Sequence, residues 1–180
     1  MTAKEILDFW FAPECKACWF NATSEMDEMI RRQFEATWQA ARDNKLQSWM
    51  DSANGCLALV IILDQFPLNM YRGKAESFLT EAAAREVSRH AIEQGFEQDM
   101  SDERKLFLFL PFMHSENIQD QDESLALFAK ADMQDGLRFA KHHRDIVARF
   151  GRFPHRNNIL GRENSAEEDA YMHSDEAFTG

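Results

Sequence analysis

Cys56-Leu-Ala-Leu-Val-Ile-Ile-Leu-Asp-Gln-Phe66 is the stretch whose reading decides the fold. Its first eight residues are apolar without interruption, so a helix made from them has no polar face and must be surrounded by protein. No alternation of apolar and polar residues argues for a half-exposed strand. Eight apolar residues in a row fall far short of a bilayer span, which takes about 20. Pro67 is expected to break this helix and lead into a polar loop through Asn69, Arg72 and Gly73. On the other side, Asn54-Gly55 reads as a turn.

Amphipathic helices are expected on both flanks. Thr2-x-x-Glu5 has the form of a capping box that opens a short helix through Ile6, Phe9 and Trp10, ended by Pro13. Met26, Ile30, Phe34, Trp38 and Ala41 recur at three- and four-residue spacing and predict a helix over about 24–43. Further helices are expected over 77–94 with Gly95 at the exit, from Ser101 to a bend at Pro111, over 119–132, and over 136–150 with Gly151 at the end. Ser165-x-x-Glu168 is a second capping box.

Seven Gly, four Pro and few β-branched residues favour helix throughout, and 15 Phe with four Trp can fill a core. The expectation is an all-α fold of antiparallel αα-hairpins, one domain over residues 1–180, with an acidic tail from about 163. No fixed self-similar period is visible. The start of the chain lacks a basic segment and a cleavage site, so a cytoplasmic protein is expected.

Charge locates the candidate working surface. Residues 138–162 hold seven Lys or Arg and one acid, within a chain of formal net charge −11. That net charge argues against nucleic acid as a partner, because phosphate contacts dominate such affinity. The densest segment is Arg149-Phe-Gly-Arg-Phe-Pro-His-Arg-Asn157. Guanidinium forks suit carboxylates or phosphates, so Arg152 and Arg156 are candidate anion ligands; neutralisation by Glu116, Asp64, Asp120 or the acidic tail is the structural alternative.

Two other groups can carry chemistry. Asp64 and Gln65 end the apolar stretch, and Asn69 and Arg72 follow it; an acid there is costly unless paired. His114-Ser115-Glu116 comes after Pro111, and His114 can work with Glu116 only where the chain is irregular. His143 lies on the apolar side of its helix and His142 nearer the edge, a placement that is usually structural. No metal-ligand spacing, phosphate loop or nucleophile motif is present. Cys15-x-x-Cys18 has no second pair for zinc and no redox context, and Cys56 reads as inert.

The sequence resembles the bacterial domain of unknown function 924 family. The resemblance rests on Ile6-Leu-Asp-Phe-Trp-Phe11, Leu57 through Leu63-Asp-Gln-Phe-Pro-Leu-Asn-Met-Tyr-Arg-Gly73, Leu110-Pro-Phe-Met-His-Ser-Glu116 with Asp120-Gln121, and the 149–157 segment with Leu160-Gly-Arg162. It implies an all-helical fold similar to tetratricopeptide-like superhelices and brings no established activity. Asp64, Gln65, Asn69, Arg72, His114, Glu116, Arg152, His155, Arg156 and Asn157 match motif positions. Leu68 departs from the Arg often found there, and Cys15 and Cys18 lie outside the pattern.

Two functional expectations follow, with the cofactor left open. One is a pocket for a small carboxylate- or phosphate-bearing ligand, an enzyme if His114, His155, Glu116 and Asp64 perform acid/base chemistry beside Gln65, Asn69, Arg72, Arg152, Arg156 and Asn157. The other is a helical module that takes an acidic peptide or protein partner, with no membrane involved. A buried polar network without any ligand is the third account.

Overall fold

The computed structural model describes residues 1–19, 21 and 23–178, and among them every regular element is a helix and none is a strand. The described residues group into two compact units. The first takes in Met1–Arg72 and Glu76–Pro111, the second Gly73–Ala75 and the described residues from Phe112 onward.

In the first unit, the Thr2 and Glu5 side chains reciprocally cap α1 (Ala3–Trp10). Helix α1 stops before Pro13, which instead opens α2 (Pro13–Lys16); a first-turn proline loses no helical hydrogen bond. The long α3 (Ser24–Arg42) buries Met26, Ile30, Phe34, Trp38 and Ala41, the stripe its spacing predicts.

The apolar stretch is the centre of the unit. Helix α4 (Ala53–Val60) passes through a π turn (Ile61–Gln65) into α5 (Phe66–Met70). Asn54-Gly55 is therefore no turn. Ser52 caps the helix by accepting from the Gly55 N–H at 3.2 Å. Gly55 is needed because a Cβ there would lie 1.9 Å from the Trp49 carbonyl oxygen.

Pro67 does not break the helix either. It cannot donate to the carbonyl four residues back, Leu63, and its ring crowds that group. The wider π turn bridges the gap, with the Phe66 N–H reaching Ile61 O. Leu63 O instead accepts from Thr80 Oγ1 at 2.5 Å, and Thr80 Oγ1 accepts from Trp38 Nε1 at 3.1 Å.

The helical run Ala53–Met70 thus reaches 18 residues at mean hydropathy 1.3, long and apolar enough to cross a membrane by length and composition. In the fold, 83% of it is buried by protein. Around it pack α1, α3 and α6 (Glu81–Glu93), while α7 (Asp102–Met113), whose Pro111 lies within the helix, sets Phe107 against Trp10 of α1. The Phe34 ring lies 4.7 Å from both Phe9 and Phe66, and Trp10 lies 5.3 Å from Phe107.

In the second unit, α8 (Ile118–Lys130) and α9 (Gln134–Phe150) form a hairpin closed by 131–133. Gly136 allows the approach, since a Cβ there would meet the Phe128 ring at 2.3 Å. Gly151, at φ +70°, ends α9. A 3-10 turn (Pro154–Arg156) follows, then α10 (Ala166–Met172), capped by Ser165 and Glu168. Ile146, Val147, Phe153 and Tyr171 form the core here. Much of the expected acidic tail is thus a folded helix.

Candidate functional site

Gln121 on α8 shapes the turn that carries His114 and Glu116. Its fully buried Nε2 donates to Met113 O at 2.7 Å and Ser115 O at 2.6 Å. Ser115 Oγ donates to Asp120 Oδ2 at 2.6 Å. Helix α7 ends at Met113, so His114 and Glu116 lie in irregular backbone, which the 114–116 reading required.

The basic segment is largely neutralised from within. Arg152 donates to both oxygens of Glu168 at 2.6 and 2.7 Å and to Glu163 O at 2.8 Å. Arg162 makes two bonds to Glu116, at 2.7 and 2.8 Å, and donates to Asn157 Oδ1 at 2.8 Å. Asn157 in turn donates to Asn164 Oδ1 at 2.7 Å. Arg144 meets Asp122, and Arg149 meets Glu167.

The carboxylates respond. Hydrogen bonds from Arg152 hold Glu168, only 2% exposed, down to about 2. Burial pushes Glu116 up, but the bonds from Arg162 and from the Phe153 N–H outweigh it and leave its carboxyl below the usual range. Glu116 is therefore an ion-pair acceptor here.

Arg156 belongs to the same segment. It is 5% exposed, and its guanidinium lies over the Phe153 ring at 4.8 Å. The ring of His155 is 5.6 Å from Phe153, and that of His143 is 5.7 Å away. Burial and then the Arg156 charge push His155 down to about 4. His143, 7% exposed, is likewise lowered to about 4, first by burial and then by the charges of His114, His142 and Arg156, against a raising hydrogen bond to Phe139 O. Since a carbonyl only accepts, His143 Nδ1 carries the proton in its 2.9 Å contact with Phe139 O. His114, His143, His155 and Arg156 are thus electrostatic neighbours in one unit.

The other predicted residues fall in the first unit. Asp64 is fully buried in the π turn and accepts from Gln65 Nε2 at 2.5 Å. Asn69 donates to Gln65 O at 2.9 Å. Arg72 forks onto Asp27 at 2.7 and 3.0 Å. Among the described residues, no group of three or more His, Cys, Asp or Glu is placed to hold a metal ion.

Residues 6–176 match the sequence profile described as bacterial protein of unknown function, DUF924. The chain belongs to the DUF924 family. A solved structure of a protein of unknown function, ATU0120 from Agrobacterium tumefaciens, is similar to it at 39% identity and a TM-score of 0.88. The match covers 95% of this chain and 96% of that one. No curated protein matches.

In this DUF924 chain, Arg162, Glu168 and Phe178 carry no expected site role and His143 is expected to be structural, yet Arg162 and Glu168 pair with Glu116 and Arg152, and Phe178 lies against His143 and His155. Phe178 packs against three imidazoles, 4.6 Å from His143, 5.1 Å from His155 and 5.7 Å from His142. The Ser165-x-x-Glu168 motif did mark Glu168, but as a helix start. Its carboxylate performs both tasks, accepting from the Ser165 N–H at 2.7 Å as well as from Arg152.

Proposed function

We propose that the second unit binds a small carboxylate- or phosphate-bearing ligand at Arg156, with His155 and His143 as hydrogen-bonding and proton-accepting partners. The observation that carries this reading is a buried and a half-buried imidazole, His143 and His155, both held neutral beside the buried Arg156 guanidinium. An arriving anion would offset the Arg156 charge and favour the protonated imidazole, so binding draws a proton in. A ligand that carries an acidic proton would meet a base there, with His114 at the same cluster.

Arg152 and Asn157, engaged with Glu168, Arg162 and Asn164, would hold the loop in place while Arg156 grips the anion. The net charge of −11 and the internal pairing of the basic segment keep nucleic acid and membranes out of the proposed partner set. The three free cysteines suit a reducing cytoplasm.

A second reading, recognition of an acidic peptide, draws on one observation. A short segment bearing Asp175, Glu176 and Phe178 already lays its aromatic ring on these imidazoles.

Calorimetric titration with inorganic phosphate and with succinate tests the proposal. The wild-type chain binds at least one of the two, and Arg156→Gln loses binding while its helical circular dichroism is unchanged. Loss of helicity in the variant, or no binding by the wild type, would sink it.

A further inference from the structure

We infer that residues 173–178 are an intramolecular strap that closes over His143 and His155, so that a ligand reaches these imidazoles only when the strap lifts. The inference rests on the anion-site reading for what the strap guards. Its closure rests on geometry alone.

After α10, the chain folds back on itself. Ser174 Oγ donates to Tyr171 O at 2.7 Å, and the Ala177 N–H donates to Ser174 O at 3.2 Å. The Phe178 N–H then donates to Tyr171 Oη at 3.0 Å, which fixes where the ring lands. That ring meets all three imidazoles of the cluster at steep angles, between 66° and 83°. Between the anchors, Asp175 and Glu176 point their charges to solvent. Residues 173 and 174 are bonded back to α10, and beyond them the Phe178 ring and its N–H bond to Tyr171 fasten the strap, so 175–178 can open while α10 stays folded. Displacing an apolar ring uncovers imidazole nitrogens without breaking any ion pair of the Arg152 or Arg162 networks.

The test is Phe178→Ala, read by carbethoxylation of histidines with diethyl pyrocarbonate followed by mass spectrometry. Both imidazoles are neutral at pH 7, so shielding rather than protonation sets their rates. His143 and His155 should react about fivefold faster in the variant, with His90 of the first unit unchanged. Unchanged rates at His143 and His155 overturn the strap, as does an equal rise at His90, which would mean general loosening.

A second arm uses inorganic phosphate. Its affinity should rise by about fivefold in Phe178→Ala, because the ring no longer competes. Equal affinity in both chains overturns the gating role. Faster labelling with no phosphate binding in either chain leaves the strap standing and rejects the anion site instead.

Discussion

Arg162 and Glu116 meet through two hydrogen bonds of 2.7 and 2.8 Å, and the Phe153 N–H donates to the same carboxylate at 2.8 Å. This pairing ties the turn after α7 to the loop after α9, and so positions His114 and Arg156 in one unit. Removing the charge while keeping the shape isolates its contribution. Glu116→Gln should lower stability by about 1.5–3 kcal/mol, the range for hydrogen bonds to a charged group. Urea unfolding at pH 7 measures it, and a midpoint equal to wild type would rule out a positioning role for the pair.

Glu168 gives a pH signature of its own. Its folded carboxyl is held near 2 against an ordinary 4.5, so the stability it contributes is full above pH 4.5 and is lost as pH falls towards 2. Glu168→Gln should therefore be less stable than wild type at pH 7, with the gap narrowing across that window. A gap that stays constant from pH 5 to pH 2.5 would contradict the Arg152 pairing.

His143 and His155 act at higher pH. Both are held near 4 in the fold against 6.5 ordinarily. Above pH 6.5 their ionisation does not change stability. Below it the unfolded chain takes up protons first, so stability falls between pH 6.5 and about 4 and then levels. His155→Asn should flatten part of this slope in urea midpoints collected across the range.

Thr80 tests the helix that carries proline. Thr80→Val deletes the donor to Leu63 O and the acceptor for Trp38 Nε1, leaving two buried groups unpaired. A loss of about 2–4 kcal/mol is expected from two such groups, whereas Thr80→Ser should retain most of the stability. Differential scanning calorimetry of the two variants separates hydroxyl loss from packing.

Much of the fold was legible because its signals are local. The α3 stripe and both capping boxes depend on residues within a turn or two of each other. Pro67 misled for the opposite reason: Thr80, far along the chain, takes the carbonyl that Pro67 cannot use. Asn54-Gly55 misled because the dipeptide alone does not show Trp49 O, which leaves no room for a Cβ at residue 55. The site followed the same division. Composition located the basic segment, yet which acids neutralise it depends on α10 folding back so that Glu167 and Glu168 reach Arg149 and Arg152. Phe178 carried no signal, since a lone aromatic beyond a polar helix has no periodicity to place it.

Proton uptake on anion binding is the central claim, and histidine-selective nitrogen NMR measures it most directly. Titrating His155 and His143 from pH 3.5 to 8 with and without inorganic phosphate should show both near 4 in its absence, and His155 raised by at least about one unit in its presence. Titration curves that coincide with and without phosphate would contradict the account.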